Sequence, residues 1–307
     1  MKIHDKKILI TGGAGFIGSN LLNRLIDDEN EIIVLDNLFS GFESNIKNVD
    51  HVSFYKYDIC DVLKIKNEIK DIDMVFHLAA NASVPYSIKD PVTDFHTNAY
   101  GTVVLLDALR HTDVKKILFA SSAAVYGNPV YSPINEQHPT TPISPYGVSK
   151  LAAETMGFIF KDTYGLNFVS SRIFNVYGPG QKKYVMYDFI NKLLHENIFK
   201  ILGSGEQKRN FCYIEDAITA FYYIISKGDG IYNISGDEII SIKELAIMMM
   251  DIVGIEKVME ITGKSWPGDI YQLVGSNNKL KTLGYKQKVD LTQGIRNLCD
   301  CMLKQNI

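Results

Sequence analysis

Through the first half of the chain, apolar residues gather in short unbroken runs, separated by longer stretches with apolar positions at helical spacing. The runs KKILITGG, EIIVLD, VSFYKYD, DMVFHLAA and KKILFASS do not alternate apolar with polar. Continuous apolar strands predict a parallel sheet covered on both faces. After the first run, FIGSNLLNRLIDD places Ile17, Leu21, Leu22 and Leu25 on one helical face. Helices are also expected around 93–110 and 146–164, with a sixth strand at NFVSSRIFNVYG. Strand and helix in alternation predict an α/β fold, a Rossmann-type doubly wound parallel sheet.

Past about residue 180 the alternation breaks into KILGSG, RNFCYIEDAITAFYYII, GIYNISG and a helix from Ser241. These pieces predict a smaller C-terminal α+β lobe. The expected division is a sheet domain over 1–178 and the lobe over 179–307, with the chain free to cross back. No Pro/Gly linker intervenes, so the lobe should pack on the sheet and close a cleft over its strand ends. Tyr222, Tyr223 and Met248 to Met250 read as core.

Composition narrows the function. The chain has 307 residues, 46% of them hydrophobic and 22% charged, which fits a soluble globular protein. A net charge of -3 offers no basic face for nucleic acid, so any phosphate must be met by a local site. Cys60, Cys212, Cys299 and Cys301 are scattered with no CxxC pair, which predicts reduced thiols and no metal site. No apolar stretch suits a signal or a span, so a cytoplasmic protein without membrane contact is expected.

TGGAGFIGS carries Gly12, Gly15 and Gly18 directly after the first strand and at the start of a helix. A dinucleotide pyrophosphate needs this arrangement: a tight turn, close backbone approach and helix N-terminal amides. Asp36 ends the second strand, where it would accept hydrogen bonds from ribose hydroxyls and repel a 2′-phosphate. The cofactor expected is therefore NAD rather than NADP. Asp58 ends the third strand and either accepts from the adenine amino group, beside the Ile59 amide, or caps a helix. HLAA ends the fourth strand with small residues over which a dinucleotide fits; His77 is given no role.

SPYGVSK places Tyr146 and Lys150 four apart at a helix start, so both face one way. A tyrosine with its ordinary pKa near ~10 is a weak base at neutral pH. An ammonium nearby and a positive nicotinamide ring would stabilise the phenolate. Ser122, in SSAAVYG, would then hydrogen-bond a substrate hydroxyl whose proton Tyr146 removes as hydride leaves. Ser121 is its structural neighbour.

TGGAGFIG, LDNL, LAA, NAYGT, SSAAVYG, YGVSK, FNVYGP and RNFCYIED occur in order along almost the whole chain. Together they resemble the extended short-chain dehydrogenase/reductases acting on nucleotide sugars, with the look of the UDP-glucose 4-epimerases. The resemblance implies Ser122, Tyr146 and Lys150 as catalytic residues. It implies NAD contacts at Gly12, Gly15, Phe16, Ile17, Gly18, Asp36, Asn37, Asp58, Ile59, Leu78, Ala79, Ala80 and Asn98, as well as at Tyr146 and Lys150. It assigns Asn175 and Arg209 to the nucleotide diphosphate, and Lys200 and Leu202 to the base, with Phe211 nearby. Ser83, Trp266 and Asp269 complete the implied substrate set. A homodimer through the helices near 93–110 and 146–164 is also implied.

The chain departs from the family in two places. SWPGD stands where an RPGD-like motif usually supplies a second arginine, which leaves UDP, GDP, CDP and dTDP all open. The position gating sugar size falls near Leu273. A further substitution separates reactions: 4,6-dehydratases carry an acid where this chain has Ala124, often with Asp at Ala123. A methyl group neither donates nor accepts a proton, so elimination is disfavoured. The function expected is an NAD-dependent nucleotide-sugar 4-epimerase working through a 4-keto sugar. The alternatives are a 4-dehydrogenase releasing that ketone, a 4,6-dehydratase, and a non-catalytic NAD-binding protein.

Overall fold

The computed structural model describes residues 2–264 and 270–305. Strands β1 (Lys7–Thr11), β2 (Glu31–Leu35), β3 (Val52–Tyr55), β4 (Met74–His77), β5 (Lys116–Ser122) and β6 (Phe168–Ile173) follow the predicted runs. Strands β7 (Asn175–Tyr177), β8 (Ile198–Ile201), β9 (Lys208–Tyr213), β10 (Gly230–Ile234), β11 (Ile239–Ser241), β12 (Val258–Ile261) and β13 (Gln272–Leu273) come later. The helices are α1 (Phe16–Ile26), α2 (Val84–Lys89), α3 (Pro91–Phe95), α4 (Gly101–Leu109) and α5 (Pro145–Tyr164) in the first half. Then come α6 (Tyr184–His195), α7 (Ile214–Lys227), α8 (Ile242–Val253), α9 (Asn278–Thr282) and α10 (Leu291–Gln305).

The central sheet is parallel, in the order β10-β6-β5-β4-β1-β2-β3. Strand order reverses between β1 and β4, where Thr11 pairs with His77 at the carboxyl ends. That reversal opens the crevice in which such sheets take ligands. Successive residues point to opposite faces, and both faces are buried. Ile8, Ile10, Val34, Phe76 and Leu118 pack with Leu21 and Leu22 of α1 and Phe221 and Ile224 of α7. Leu9, Ile33, Val75, Ile117 and Phe119 pack with Leu105 and Leu106 of α4 and Ala153 of α5.

Three sequence expectations need correction. NFVSSRIFNVYG is two strands: β6 stays in the central sheet and β7 pairs with β9 in a second sheet. GIYNISG forms β10, which extends the central sheet beside β6 instead of building the lobe. Tyr232 and Ile234 are buried there in the core shared with α7, which gives the strand its place. The helix near 93–110 is interrupted: α3 runs through a π turn at His96–Tyr100 into α4. Such a wide turn is rare and tends to occur at functional sites. It carries Asn98.

The lobe holds the sheet β11-β9-β13 with β7 paired to β9, and a parallel β8–β12 pair. It rests on α6, α8 and α10, whose Phe189, Leu245, Met249 and Leu298 join the same core as α1 and α7. Tyr222 is core as expected, and so are Met249 and Met250.

Candidate active site

The turn after β1 is set by close approach. Gly12 has φ +74, and a Cβ there would stand 2.6 Å from the Ala79 amide. A Cβ on Gly18 would collide with the Gly12 carbonyl, so the first turn of α1 packs directly on the strand end. Gly15 is the N-cap of α1 and no side chain caps the helix, which leaves its first amides available to an anion. Asp36 is held where β2 ends: its carboxylate accepts the Ala14 amide at 2.9 Å and the Leu38 amide at 2.8 Å. Burial pushes Asp36 up, and those two amides pull it back down. An uncapped helix start, a cradle that a Cβ would fill and a shielded acid fit an NAD dinucleotide.

Asp58 does what its alternative reading asked. It caps the helical turn Ile59–Ile65 by accepting from Cys60 at 3.0 Å, while its other oxygen takes Asn37 Nδ2 at 2.8 Å. Leu78, Ala79 and Ala80 follow β4 at the switch point, and Asn98 takes the Asn81 amide on its side-chain oxygen at 2.8 Å. His77 is wholly buried between Thr11 Oγ1 at 2.7 Å and Thr102 Oγ1 at 2.9 Å. Burial drives its pKa down to about 3, so it is a neutral, packed residue, in keeping with its having no assigned role.

Ser122 closes β5, and its Oγ accepts the Ala124 amide at 3.2 Å. The turn Ala123–Val125 then packs on the start of α5: a Cβ on Gly147 would stand 2.5 Å from the Ala124 carbonyl. Small residues in SSAAV and Gly147 in YGVSK are thus two sides of one contact. Ser144 caps α5 and Pro145 opens it, which fixes Tyr146 in the first turn. Tyr146 is buried at 9% exposure and its phenol is pushed up by burial; Ser122 pulls it down. Lys150 lies one turn on, 2% exposed, bonded to the Ala120 carbonyl at 2.7 Å and 4.8 Å above the Phe119 ring. Burial lowers Lys150 from 10.5 to about 8, against the upward pull of Asp94 and Glu154. The expected stabilisation of the phenolate thus comes from Ser122 in this geometry, with Lys150 itself close to losing its proton.

Residues for the substrate converge less tightly. Asn175 Nδ2 donates to the Asn210 carbonyl at 3.1 Å, and Arg209 Nη1 donates to the carbonyls of Lys208 and Tyr271. Leu273 pairs with Arg209 across β13 and β9, and packs against Ala123, Val125 and Phe174. Phe211 is buried, whereas Leu202 is 53% exposed and Lys200 is exposed on β8. Ser83 caps α2 by accepting the Tyr86 amide at 3.3 Å. Trp266 and Asp269 lie outside the described residues.

Sequence reasoning missed Tyr184, which has φ +71 at the start of α6 and donates its hydroxyl to the Ala82 carbonyl. It bridges the lobe to the loop after β4, and its charge would act on Tyr146. It also missed Asp94 and Ser149. No spacing rule points to any of the three. Among the described residues, no cluster suited to a metal ion occurs, and no helix is long and apolar enough to cross a membrane.

A family model, the NAD dependent epimerase/dehydratase family, matches residues 8–235. The chain is 36% identical over 305 residues to a putative UDP-glucose 4-epimerase of Methanocaldococcus jannaschii, covering 97% of this chain and 99% of the other. It is 33% identical over 309 residues to the dTDP-D-glucose 4,6-dehydratase of Mus musculus, covering 95% and 87%. Among solved structures, the UDP-N-acetylglucosamine 4-epimerase of Methanobrevibacter ruminantium M1 in complex with UDP-N-acetylmuramic acid superposes with a TM-score of 0.94. Its identity is 31%, over 99% of this chain and all (100%) of that one. Fold, cofactor cradle and sequence agree: the chain belongs to the NAD-dependent epimerase/dehydratase family and is an NAD-using enzyme of the extended short-chain dehydrogenase/reductase type.

Proposed function

We propose that the protein is a nucleotide-diphosphate-sugar 4-epimerase, acting on UDP-hexoses through a transient 4-keto sugar. The observation that carries this reading is the intact Ser122, Tyr146 and Lys150 set beside a turn that offers only Ala123 and Ala124. Such a site is equipped for proton and hydride movement at C4 and lacks the acid that elimination of water requires. The UDP preference is supported by the UDP-named relatives in both comparisons.

Bound NAD supplies positive charge to the site and the acceptor, then the donor, of hydride at C4. Gly12, Gly15 and Gly18 let the backbone reach its pyrophosphate, and Asp36 receives its ribose. Tyr146, as phenolate, takes the O4 proton while Ser122 donates to O4 and orients it. The C4–H bond breaks as the C4 carbonyl forms. Ser122 and the positive charge of bound NAD lower the cost of the phenolate, and Lys150, one turn along α5, stands to hold the nicotinamide ribose. Asn175 and Arg209 hold the diphosphate while the keto sugar turns, and Tyr146 returns its proton to O4 when hydride comes back on the other face. Lys200, Leu202 and Phe211 flank the base, and Leu273 borders the sugar.

The protein works as a cytoplasmic homodimer in this reading. Val92 at 77% exposure, Phe95, Tyr100, Val148 and Ile159 are exposed apolar side chains on α3, the π turn and α5. These are the helices that the family resemblance assigns to a four-helix bundle.

The test is incubation with UDP-, GDP-, CDP- and dTDP-hexoses followed by NMR of the products. The C4 epimer of a UDP-hexose is the expected product. A 4-keto-6-deoxy sugar, an accumulating 4-keto sugar, or no reaction with any nucleotide would each refute the reading.

A further inference from the structure

Residues 178–184 lead from β7 into α6, and their contacts carry them from one wall of the cofactor cradle to the next. The root is fixed. Gln181 is buried, its main-chain amide donates to the Gly178 carbonyl at 3.2 Å, and its Nε2 donates to the Val176 carbonyl at 2.9 Å. The segment then passes α1, where a Cβ on Gly180 would stand 3.9 Å from the Phe16 ring. It next meets the loop after β2, with Lys182 Nζ 4.2 Å from the centre of the Phe42 ring. Phe42 in turn donates its amide to the Ala14 carbonyl in the glycine turn at 3.2 Å. The segment ends on the loop after β4, where the Tyr184 hydroxyl donates to the Ala82 carbonyl. The glycine turn with α1, the loop after β2 and the loop after β4 are three walls of the NAD cradle, so the segment passes over its mouth.

Tyr184 is the unusual residue in this stretch. It is 58% exposed, yet burial still pushes its phenol up, which places the ring in a concavity with water on one side and protein on the other. Its φ of +71 is one that bulky residues rarely adopt. A glycine would fit that backbone with less strain, so the turn does not call for tyrosine; the reach of its hydroxyl does. Strain of this kind persists where the surroundings fix it, and it gathers at clamps and switches. The partner of the hydroxyl is a main-chain carbonyl on exposed Ala82. Water can replace such a bond, so its net worth is small and it can open.

We propose that residues 178–184 are a strap over the cofactor cleft and that Tyr184 is its latch, a positioning residue that slows the entry and exit of NAD. The role rests on the NAD cradle and needs no assumption about the sugar or the reaction at C4. Because the bond joins protein to protein, it gates passage without adding affinity: the strap must open both to load and to release. A slow exit suits chemistry in which hydride taken from a sugar is given back before the cofactor leaves.

The experiment compares wild-type holoenzyme with Tyr184→Phe, which keeps the ring and removes the hydroxyl. Release of radiolabelled NAD is followed by filtration during a chase with unlabelled NAD, association by rapid mixing, and Kd by equilibrium dialysis. Both rates should rise about 3- to 10-fold, the worth of one hydrogen bond, with Kd within about twofold and the unfolding midpoint at saturating NAD unchanged. Unchanged rates would overturn the proposal. Faster release matched by a weaker Kd would overturn it too, by making Tyr184 a cofactor contact. A lowered midpoint or failure to fold would do the same, by making the bond part of the general scaffold. Wild type unable to bind NAD would overturn the cradle and the latch together. Wild type that binds and gates NAD in this way but forms no C4 epimer would sink the epimerase reading and leave the latch standing.

Discussion

The cofactor side of the cleft and the substrate side are built on opposite terms. On the cofactor side, Asp36, His77, Asn98, Tyr146 and Lys150 are all buried, and polar atoms of Asp36, His77, Asn98 and Lys150 are held by hydrogen bonds within the fold. On the substrate side, Lys200 and Leu202 are exposed and Arg209 is half-buried, its guanidinium turned to main-chain carbonyls. The first half is pre-ordered. The second leaves its side chains nearer to water. In the proposed reaction this division is useful, because C4 chemistry needs fixed groups while the sugar needs room to turn.

Breaking the fixed side should have the largest consequences. Tyr146→Phe is expected to cost about 100- to 10,000-fold in kcat while bound NAD, measured after denaturation, is retained. A kcat within tenfold of wild type would remove Tyr146 from the role of base. Gly18→Ala should come next. The added methyl meets the Gly12 carbonyl, and the variant should lose about 3 kcal/mol of stability and most of its NAD, by denaturant titration and cofactor assay.

Disturbing the open side should act on binding instead. Arg209→Ala is expected to raise KM for the nucleotide sugar about 10- to 100-fold with kcat nearly unchanged, the signature of a binding charge lost equally from ground and transition states. A fall in kcat alone would place Arg209 with the fixed machinery and collapse the distinction.

The smallest effect is a pH limb. Folded Lys150 titrates near 8 rather than 10.5, so its protonated form disappears as pH rises through about 8. Turnover should fall there by about tenfold per unit. Between about 8 and 10.5 the unfolded chain holds this proton and the folded one does not, so the contribution of Lys150 to stability rises with pH as activity falls. A turnover profile flat to pH 10 would contradict the assignment.

What could be read from the sequence follows the same division. The glycine turn, Asp36, Ser122 and the Tyr146–Lys150 pair are local patterns, since each depends on spacing along a single strand end or helix start. Ala123 and Ala124 were legible for the same reason, although the contact of the Ala124 carbonyl with Gly147 across the turn was not. Asp94 escaped notice because an acid on an amphipathic helix has the appearance of a solvated residue, and only the packing of α3 on α5 buries it. The return of β10 to the central sheet was equally hidden: a short apolar strand carries no mark of the sheet it will join. Tyr184 needed both the lobe and the loop after β4 to be in place before its hydroxyl had a partner.

The central claim is that one hydride leaves C4 and returns to C4 of the same sugar. A UDP-hexose carrying deuterium at C4, followed by NMR and mass spectrometry, addresses it directly. The account predicts a C4 epimer that keeps its deuterium at C4, with none exchanged to water. Deuterium lost to solvent, or found at C6 of a deoxygenated product, would contradict it.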